Sequence, residues 1–396
     1  MEKKNIRRDH PLGLYLHIPF CKAKCAYCDF YSLARSEEKM DAYTAALQRH
    51  LVEVAPQADC HIVDTVYFGG GTPSYLGVKR LTELLKTVKK HYRLAKEPEI
   101  TVEANPDSAC DWKALRALRR AGVNRLSLGV QSTDDELLQA IGRVHTFAQV
   151  QEAVAAARRA KIKNLSLDLI YGLPGQTMAQ WEKTLQDAVD LQPEHLSCYG
   201  LKLEPGTPLF ARQGELTFPD DDAQADMYFY AVQTLEEFGY HQYEISNFAK
   251  DGFICRHNMK YWTGDEYLGF GPCAASDFAG KRFTIQADLQ KYLDGVKTKG
   301  VILSECDTIP LRERAGEYLM LRLRTVDGIE EGEYTKSFLL PFEPLQKVLE
   351  KLEKNDLCVQ NGSRWRLTPK GFMLSNQVIL TLLEAQQRSK PLAQRR

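Results

Sequence analysis

The sequence has no excess of charge and no long apolar run. Its 52 basic residues balance its 52 acidic residues, whereas proteins that bind nucleic acid broadly are usually basic. Its apolar runs, such as SFLLPF, are far shorter than the ~20 residues of a membrane-spanning helix. The start, MEKKNIRRDHP, is charged and offers no apolar secretory segment. We therefore expect a cytoplasmic protein with no nucleic-acid partner and no transmembrane segment; a peripheral contact with membranes stays open.

Disulfides are not expected, although the chain has ten cysteines. Cytosolic cysteines stay reduced, and a free cysteine is most often a small buried hydrophobic residue. Seven of the ten are scattered along the chain and fit that description. The exception is the group Cys21, Cys25 and Cys28, which lies directly after a short apolar run.

Strand-like and helix-like segments alternate six times before residue 205. The strand-like segments are rich in β-branched and aromatic residues, and apolar residues recur at three and four between them. Such alternation predicts a parallel α/β sheet, either doubly wound or a partial barrel. The predicted strands are 13–20, 64–71, 99–106, 124–131, 164–172 and 195–204.

Polar residues occur in or after each of these strands, mostly near its end. Because the carboxyl ends of parallel strands form the site in α/β folds, we expect the polar residues to share one mouth. They are the three cysteines, the GGGTP segment from Gly69 to Pro73, Glu103, Gln131, Asp168 and Glu204.

The C-terminal part of the chain has a different character. A helix-like segment, DDDAQADMYFYAVQTLEEFG, leads into an aromatic region, and a charged, helix-forming region begins near residue 305. Its end predicts a helix, a hairpin that turns at NGS, and a helix that starts at Thr368 and Pro369. We expect three domains: 1–215, 216–304 and a winged-helix-like domain at 305–396, whose basic last residues, 386–396, should be disordered.

The spacing C-x3-C-x2-C of Cys21, Cys25 and Cys28 favours an iron–sulfur cluster. Soft thiolates hold iron tightly, and three of them would leave the fourth iron of a [4Fe–4S] cluster open to a small molecule. A zinc site that also uses His17 is an alternative. It is disfavoured because the chain has no second C-x2-C or H-x3-H pair. Three structural cysteines are the remaining alternative.

With Tyr27 directly before Cys28, this motif after the first strand resembles the radical S-adenosylmethionine (SAM) superfamily. The resemblance implies a [4Fe–4S] cluster on Cys21, Cys25 and Cys28 whose open iron is chelated by SAM. It also implies a partial (β/α)6 barrel as the fold of the first domain. One electron supplied to such a cluster cleaves SAM and releases a radical.

The same resemblance implies roles for residues near the other strand ends. The glycine segment and Glu103 would receive the methionyl ammonium, and Arg143 the carboxylate. Gln131 and Asp168 would hold the ribose, and Tyr15 would lie under the cluster. Alternatives stay open: a tight turn for the glycines, a solvated charge for Arg143 and a core aromatic for Tyr15. The implied cofactor-binding set is Tyr15, Gly70, Gly71, Thr72, Glu103, Gln131, Arg143 and Asp168.

Eight segments together resemble the oxygen-independent coproporphyrinogen III oxidase group, and within it the HemW-type heme chaperones. They are HIPFCKAKCAYCDFYS, YFGGGTP, EANP, LSLGVQS, DLIYGLPGQT, EPGTPL, YEISNFA and HNMKYW. The oxidases carry a cysteine two residues after the third ligand, where this chain has Phe30, and a long N-terminal segment. The resemblance to the chaperones implies that His257 in CRHNMKYW ligates heme and that Tyr261 and Trp262 stack on the porphyrin. Buried backbone partners for His257 and a core role for the aromatics are the alternative.

The resemblance implies a protein that binds heme and transfers it to acceptor proteins, with proteins of the respiratory chain as candidates. Its cofactors would be a [4Fe–4S] cluster, SAM and heme, and an electron donor would be a further partner. The competing hypothesis is oxidative decarboxylation of coproporphyrinogen III, and whether the chain is an enzyme stays open.

Overall fold

A computed structural model describes residues 9–389. Residues 1–8 of the charged start and residues 390–396 of the basic tail lie outside the described residues. The expectation of disorder is wrong for residues 386–388, which belong to the last helix, where Gln386 is buried.

The strands of the described chain range from two residues, as in Phe20–Cys21, to eleven, as in Leu94–Ala104. They are β1 His10–Ile18, β2 Phe20–Cys21, β3 Leu33–Ala34, β4 His61–Gly70, β5 Leu94–Ala104, β6 Arg125–Gln131, β7 Asn164–Tyr171, β8 His195–Gly200, β9 His241–Gln242, β10 Asn247–Ala249, β11 Tyr267–Phe270, β12 Ala275–Phe278, β13 Lys281–Ile285, β14 Leu303–Thr308, β15 Ile329–Glu330, β16 Cys358–Asn361 and β17 Arg364–Leu367.

The helices lie mainly between the strands. They are α1 Met40–Val54, α2 Pro73–Leu76, α3 Val78–His91, α4 Trp112–Ala121, α5 Asp135–Ala140, α6 Phe147–Arg159, α7 Met178–Asp190, α8 Pro208–Ala211, α9 Asp221–Glu237, α10 Arg256–Thr263, α11 Leu289–Thr298, α12 Leu311–Arg322, α13 Glu331–Phe338, α14 Glu343–Glu353, α15 Pro369–Met373 and α16 Ser375–Arg388. Short 3₁₀ helices occur at Glu37–Lys39, Ala55–Ala58 and Pro106–Ser108.

The chain forms two compact units. The first contains residues up to Tyr228 together with Glu266–Asp307, and the second contains Phe229–Asp265 together with the chain from Thr308. The predicted middle segment, 216–304, is therefore shared between the units, because its part 229–265 groups with the C-terminal residues.

The first unit is built on six parallel strands in sequence order, β1, β4, β5, β6, β7 and β8. Each corresponds to one of the six predicted strands, and helices connect them. The predicted partial (β/α)6 barrel is confirmed. Within the first unit, sequence reasoning missed strands β11 to β14 of this sheet, of which β11 pairs in parallel with β1.

Strand β1 shows why one face of the sheet carries chemistry. Leu12, Leu14, Leu16 and Ile18 are fully buried, and burying each such side chain contributes about 1.5–3 kcal/mol. Successive residues of a strand point to opposite faces. The intervening residues of β1 therefore share the other face, where Tyr15 lies beside Tyr67 of β4.

Helix caps follow the sequence signals. Helix α4 begins at Asp111, whose side chain accepts a hydrogen bond from the Lys113 N–H, and ends at Gly122 with a φ of 118°. Only glycine adopts this left-handed geometry easily. Thr146 and Gln149 form a capping box that starts α6.

The second unit contains a three-stranded sheet in the order β15, β17, β16. Helices α13 and α14 lie between β15 and β16 in the chain, and β16 and β17 form the predicted hairpin, whose turn includes Gly362 with a φ of 62°. Helix α15 begins at Thr368, which accepts a hydrogen bond from Gly371 N–H. The predicted order of helix, hairpin and helix is confirmed.

None of the helices within residues 9–389 is long and apolar enough to span a membrane.

Replacing Trp181 should test how the first unit packs. Its ring is fully buried against Tyr171, and its Nε1–H donates to the Met227 carbonyl at 2.8 Å. We expect Trp181→Ala to lower the free energy of unfolding by about 3–5 kcal/mol, as for other large buried side chains. Denaturant titration followed by circular dichroism measures this loss.

The matched control is Trp112→Ala, because Trp112 is half-buried and lies 4.0 Å from the Arg159 guanidinium. It should lose only about 1 kcal/mol. Equal losses in the two variants would contradict the assignment of Trp181 to the core.

Candidate functional site

The three cysteines lie on the loop that follows β1. Cys21 is buried in β2, which pairs with β3, while Cys25 and Cys28 are half-buried and all three thiols are free. The loop is tied to the barrel where Ala26 N–H donates to the Ile141 carbonyl at 3.0 Å. Burial raises the pKa of Cys21, and it raises the pKa of Cys28 to about 11. Both thiols are therefore protonated at neutral pH until a metal displaces the proton.

Within residues 9–389, no three His, Cys, Asp or Glu side chains converge closely enough to hold a single metal ion. A cubane cluster makes a different demand, because each cysteine sulfur binds its own iron.

His17, the fourth ligand of the zinc alternative, has partners at both ring nitrogens. Its Nε2 lies 2.8 Å from the Tyr31 carbonyl and its Nδ1 lies 3.0 Å from Tyr15 Oη. Because a carbonyl only accepts, Nε2 carries the proton and Nδ1 accepts from the tyrosine. Ligation of zinc by His17 would break one of these bonds, so the geometry weighs against that alternative.

The glycine segment packs directly on the start of the cysteine loop. Gly71 N–H donates to the Ile18 carbonyl at 2.9 Å, and Thr72 N–H donates to the Phe20 carbonyl at 2.8 Å. A Cβ on Gly71 would lie 2.9 Å from both carbonyl oxygens and 3.0 Å from Cys21 Sγ. Gly71 is therefore required because the backbone of the cysteine loop approaches it closely. The tight-turn alternative does not account for this contact.

Glu103 lies within the barrel beside the glycine segment. Tyr67 Oη donates to its Oε1 at 2.7 Å, and Gly70 N–H donates to its Oε2 at 3.2 Å. Burial raises the pKa of Glu103 to about 7, with a further contribution from Asp168 that outweighs Arg125. A cation placed here would return the carboxyl to its ionised form.

Tyr15 adjoins this carboxylate. Its ring stacks on Tyr67 with centroids 6.2 Å apart, and a Cβ on Gly69 would meet both Tyr15 and Glu103 within 3.2 Å. Tyr15, Glu103 and the glycine segment therefore form one group, as the sequence predicts.

Arg143 and Gln131 meet at Gly129 on β6. A Cβ on Gly129 would lie 2.9 Å from Gln131 Nε2 and 3.2 Å from Arg143 Nη2. Arg143 Nη2 donates to the Gly129 carbonyl, and Gln131 has a φ of 67°, which turns the chain at the end of the strand. The guanidinium is thus tied to the barrel and is not a solvated charge.

Arg143 also reaches the cysteine loop. Its Nη1 lies 3.4 Å from Cys25 Sγ, and its Nη2 lies 2.9 Å from Asn105 Oδ1. Asn105 Nδ2 in turn lies 3.3 Å from Thr72 Oγ1, which is 3.6 Å from Cys21 Sγ. Side chains that follow β4, β5 and α5 therefore connect two of the cysteine sulfurs.

Asp168 of β7 lies among serine hydroxyls of β6, β7 and β8. Oδ1 accepts from Ser166 at 3.1 Å and from Ser197 at 2.8 Å, and Ser127 donates to Oδ2 at 2.9 Å. Since each carboxylate oxygen offers about two acceptor sites, Oδ2 is the atom with capacity left for a ribose hydroxyl.

His257 belongs to the second unit, at the start of α10. It is 1% exposed, and its Nε2 lies 2.9 Å from Tyr261 Oη. The two rings are perpendicular, with centroids 5.3 Å apart. Tyr261 and Trp262 are half-buried. In this conformation the predicted heme ligand is buried and hydrogen-bonded.

Sequence reasoning missed several polar residues of the barrel interior. Asn105 lies two residues after Glu103, and strand alternation places residues two apart on one face. Ser166 and Asp168 have the same relation. The two-residue spacing was visible in the sequence. Short polar residues are common in strands, however, and without the pairing register the spacing does not show which of them face the site.

The residues of the first unit fit a cluster and SAM by three observations. The donor set is three thiols, and Gly71 leaves no space for a side chain beside Cys21. Among the described residues, Arg143 Nε is buried and has no hydrogen-bond partner. An anionic ligand such as a carboxylate would satisfy that donor.

Comparison with known families gives two matches along the chain. Residues 15–188 match the radical SAM superfamily, and residues 309–374 match the HemN C-terminal domain.

Curated relatives match over nearly their full length. The heme chaperone HemW of Bacillus subtilis is 35% identical, over 92% of this chain and 97% of the relative. The heme chaperone HemW of Escherichia coli is 34% identical, over 93% and 97%. A mitochondrial protein of Danio rerio, named radical S-adenosyl methionine domain-containing protein 1, is 32% identical, over 94% and 86%.

A solved structure shares the architecture. Coproporphyrinogen III oxidase (HemN) of Escherichia coli, described as a radical SAM enzyme, superposes with a TM-score of 0.83 at 25% identity. The superposition covers 95% of this chain and 90% of the oxidase chain.

Glu103→Gln should alter the pH dependence of stability between pH 4.5 and 7, the ordinary and raised pKa values of Glu103. In this range the folded carboxyl keeps a proton that the unfolded chain releases, so the wild-type protein loses stability as pH rises. Over this pH range we expect the free energy of unfolding to fall by about 1–3 kcal/mol less in the variant than in the wild-type protein. Denaturant titrations at a series of pH values measure it.

Glu136→Gln is the control, since Glu136 is exposed, and its stability should follow the wild-type pH curve. If Glu103→Gln also followed that curve, the raised pKa of Glu103 would be refuted.

Proposed function

We propose that this chain is a heme chaperone, because it belongs to the HemW family of radical SAM proteins. It binds heme and transfers it to acceptor proteins. The observation that carries this proposal is the match to relatives named heme chaperone HemW over 97% of their length at 34–35% identity. The architecture shared with an oxidase does not decide between a chaperone and an oxidase, since one fold can host different functions.

Cys21, Cys25 and Cys28 would hold a [4Fe–4S] cluster. When bound, the cluster supplies one-electron chemistry and an open iron for SAM. The chain contributes three soft donors on one short loop, which the glycine segment covers.

The first unit would hold SAM with groups already in place. Glu103 and the backbone carbonyls of Gly70 and Gly71 would accept hydrogen bonds from the methionyl amino group, and such a bond to the carboxylate would lower the pKa of Glu103 again. Arg143, through its buried Nε, would take the carboxylate.

The remaining SAM contacts follow from position. Thr72 lies beside Cys21, and Tyr15 lies beside Glu103. Gln131 and Asp168 Oδ2 would hold the ribose hydroxyls.

Heme would be ligated by His257, with Tyr261 and Trp262 as stacking surface. Imidazole nitrogen is a good axial ligand for heme iron. Because His257 Nε2 is 2.9 Å from Tyr261 Oη, the tyrosine hydroxyl must leave that nitrogen before iron can bind. We expect heme loading to include a local rearrangement of α10.

The partners of this function are an electron donor for the cluster and heme-acceptor proteins, and we place the protein in the cytoplasm. The donor and the acceptors are to be found by experiment.

Cys21→Ala should abolish assembly of the cluster. Three thiolates are needed to hold three irons, and a protein with two would lose iron on desalting. Anaerobic reconstitution followed by iron and sulfide analysis measures the loss. Cys60→Ala is the control, because Cys60 is an exposed cysteine outside the loop, and it should load as wild type does. A full cluster in Cys21→Ala would refute the three-thiol assignment.

His257→Ala should weaken hemin binding at least tenfold, about 1.4 kcal/mol, and change the heme absorption spectrum. Tyr261→Phe removes the competing hydroxyl and should bind hemin at least as tightly as wild type. Anaerobic hemin titration measures both. His241→Ala is the control, because that imidazole is exposed and belongs to the same unit. Unchanged affinity and spectrum in His257→Ala would remove His257 as the ligand.

The chaperone proposal itself is tested with wild-type protein given coproporphyrinogen III, SAM and a reductant. Hemin binding at one per chain without decarboxylated product is the expected result. Formation of protoporphyrinogen would make the chain an oxidase and contradict the proposal.

A further inference from the structure

Asn105 connects the donors that reach two of the three cysteine sulfurs. Its amide lies between Thr72, whose hydroxyl is 3.6 Å from Cys21 Sγ, and Arg143, whose Nη1 is 3.4 Å from Cys25 Sγ. The position follows from the fold: Asn105 stands directly after β5, between the end of β4 and the segment after α5.

The chemistry of the groups fixes the direction of each hydrogen bond. A guanidinium only donates, so the Asn105 oxygen must face Arg143 and its NH2 group must face Thr72. The Thr72 oxygen then accepts from Asn105. Its single proton is left to point at the remaining neighbour, the Cys21 sulfur.

Burial makes this arrangement stable. Thr72 is 5% exposed, and Asn105 is half-buried. Few waters can therefore compete for these donors, and hydrogen bonds in such surroundings are strengthened by the low local dielectric. One amide side chain thus orients both a hydroxyl and a cation.

We propose that Asn105 is a positioning residue that aims the Thr72 hydroxyl and the Arg143 guanidinium at the cluster sulfurs and thereby raises the reduction potential of the cluster. The inference rests on the proposed function, because it assumes the cluster on Cys21, Cys25 and Cys28. The reduced cluster carries one more negative charge than the oxidised cluster. Donors at its thiolates therefore stabilise the reduced form more.

Asn105→Ala and Thr72→Val test the proposal through the midpoint potential of the reconstituted cluster, measured by redox titration with electron paramagnetic resonance. Thr72→Val removes the donor to Cys21, and Asn105→Ala releases both donors. Both potentials should shift downward, with the larger shift in Asn105→Ala. The double variant should shift by less than the sum, because the two residues act in one chain of hydrogen bonds.

Ser74→Ala is the control. Ser74 lies two residues after Thr72 and pairs with Ser108 at 2.6 Å, so its loss should leave the potential unchanged. Unshifted potentials in Asn105→Ala and Thr72→Val, with clusters fully loaded, would overturn the role of Asn105. Additive shifts would equally overturn it, since they would mean independent effects.

Iron and sulfide content separates failure of the cluster from failure of the positioning role. A wild-type protein that assembles no cluster would remove the proposed function and the role of Asn105 together. If Asn105→Ala alone fails to load, Thr72→Val still decides the proposal, because Asn105 is argued to act through the Thr72 hydroxyl. A downward shift in Thr72→Val would support the role of Asn105, and an unshifted potential would overturn it.

Discussion

The parallel pairing of β1 with β4 is the constraint on which the site depends. It sets Tyr15 beside Tyr67 and Ile18 beside Gly70. Past the ends of these strands, backbone hydrogen bonds from Gly71 and Thr72 extend the β1–β4 pairing onto the cysteine loop. Each bond contributes only about 0.5–1.5 kcal/mol net. A slip of one residue, however, would turn the site-facing side chains of β1 towards the helices.

The interior of the barrel is polar where the site lies, and this polarity opposes folding. A desolvated carboxyl such as Glu103 is destabilised as an anion, and this raises the pKa of Glu103 to about 7. The carboxylate of Asp168 is stabilised by hydrogen bonds from serine hydroxyls on β6, β7 and β8. A ligand group that donates a hydrogen bond to Glu103 would relieve this cost, so ligand binding and the stability of this region should be linked.

The barrel and the cysteine motif were predictable because their signals are local. Strands of buried residues and the spacing of Cys21, Cys25 and Cys28 can be read from consecutive letters. The role of Asn105 depends on which strands pair and in what register, and that is not local. Strands β11 to β14 are short, and their residues show no clear period. The burial of His257 was also hidden, since the HNMKYW segment does not show which side of α10 faces inward.

The central claim is that three thiols hold a cluster whose fourth iron binds SAM. The most direct measurement is electron–nuclear double resonance on the reduced, reconstituted protein, with SAM isotopically labelled at its amino nitrogen and carboxylate oxygens. The account predicts magnetic coupling of both labelled groups to the cluster spin, because both would bind the open iron. A fully loaded cluster with SAM bound, measured by equilibrium dialysis, but with neither coupling would contradict it.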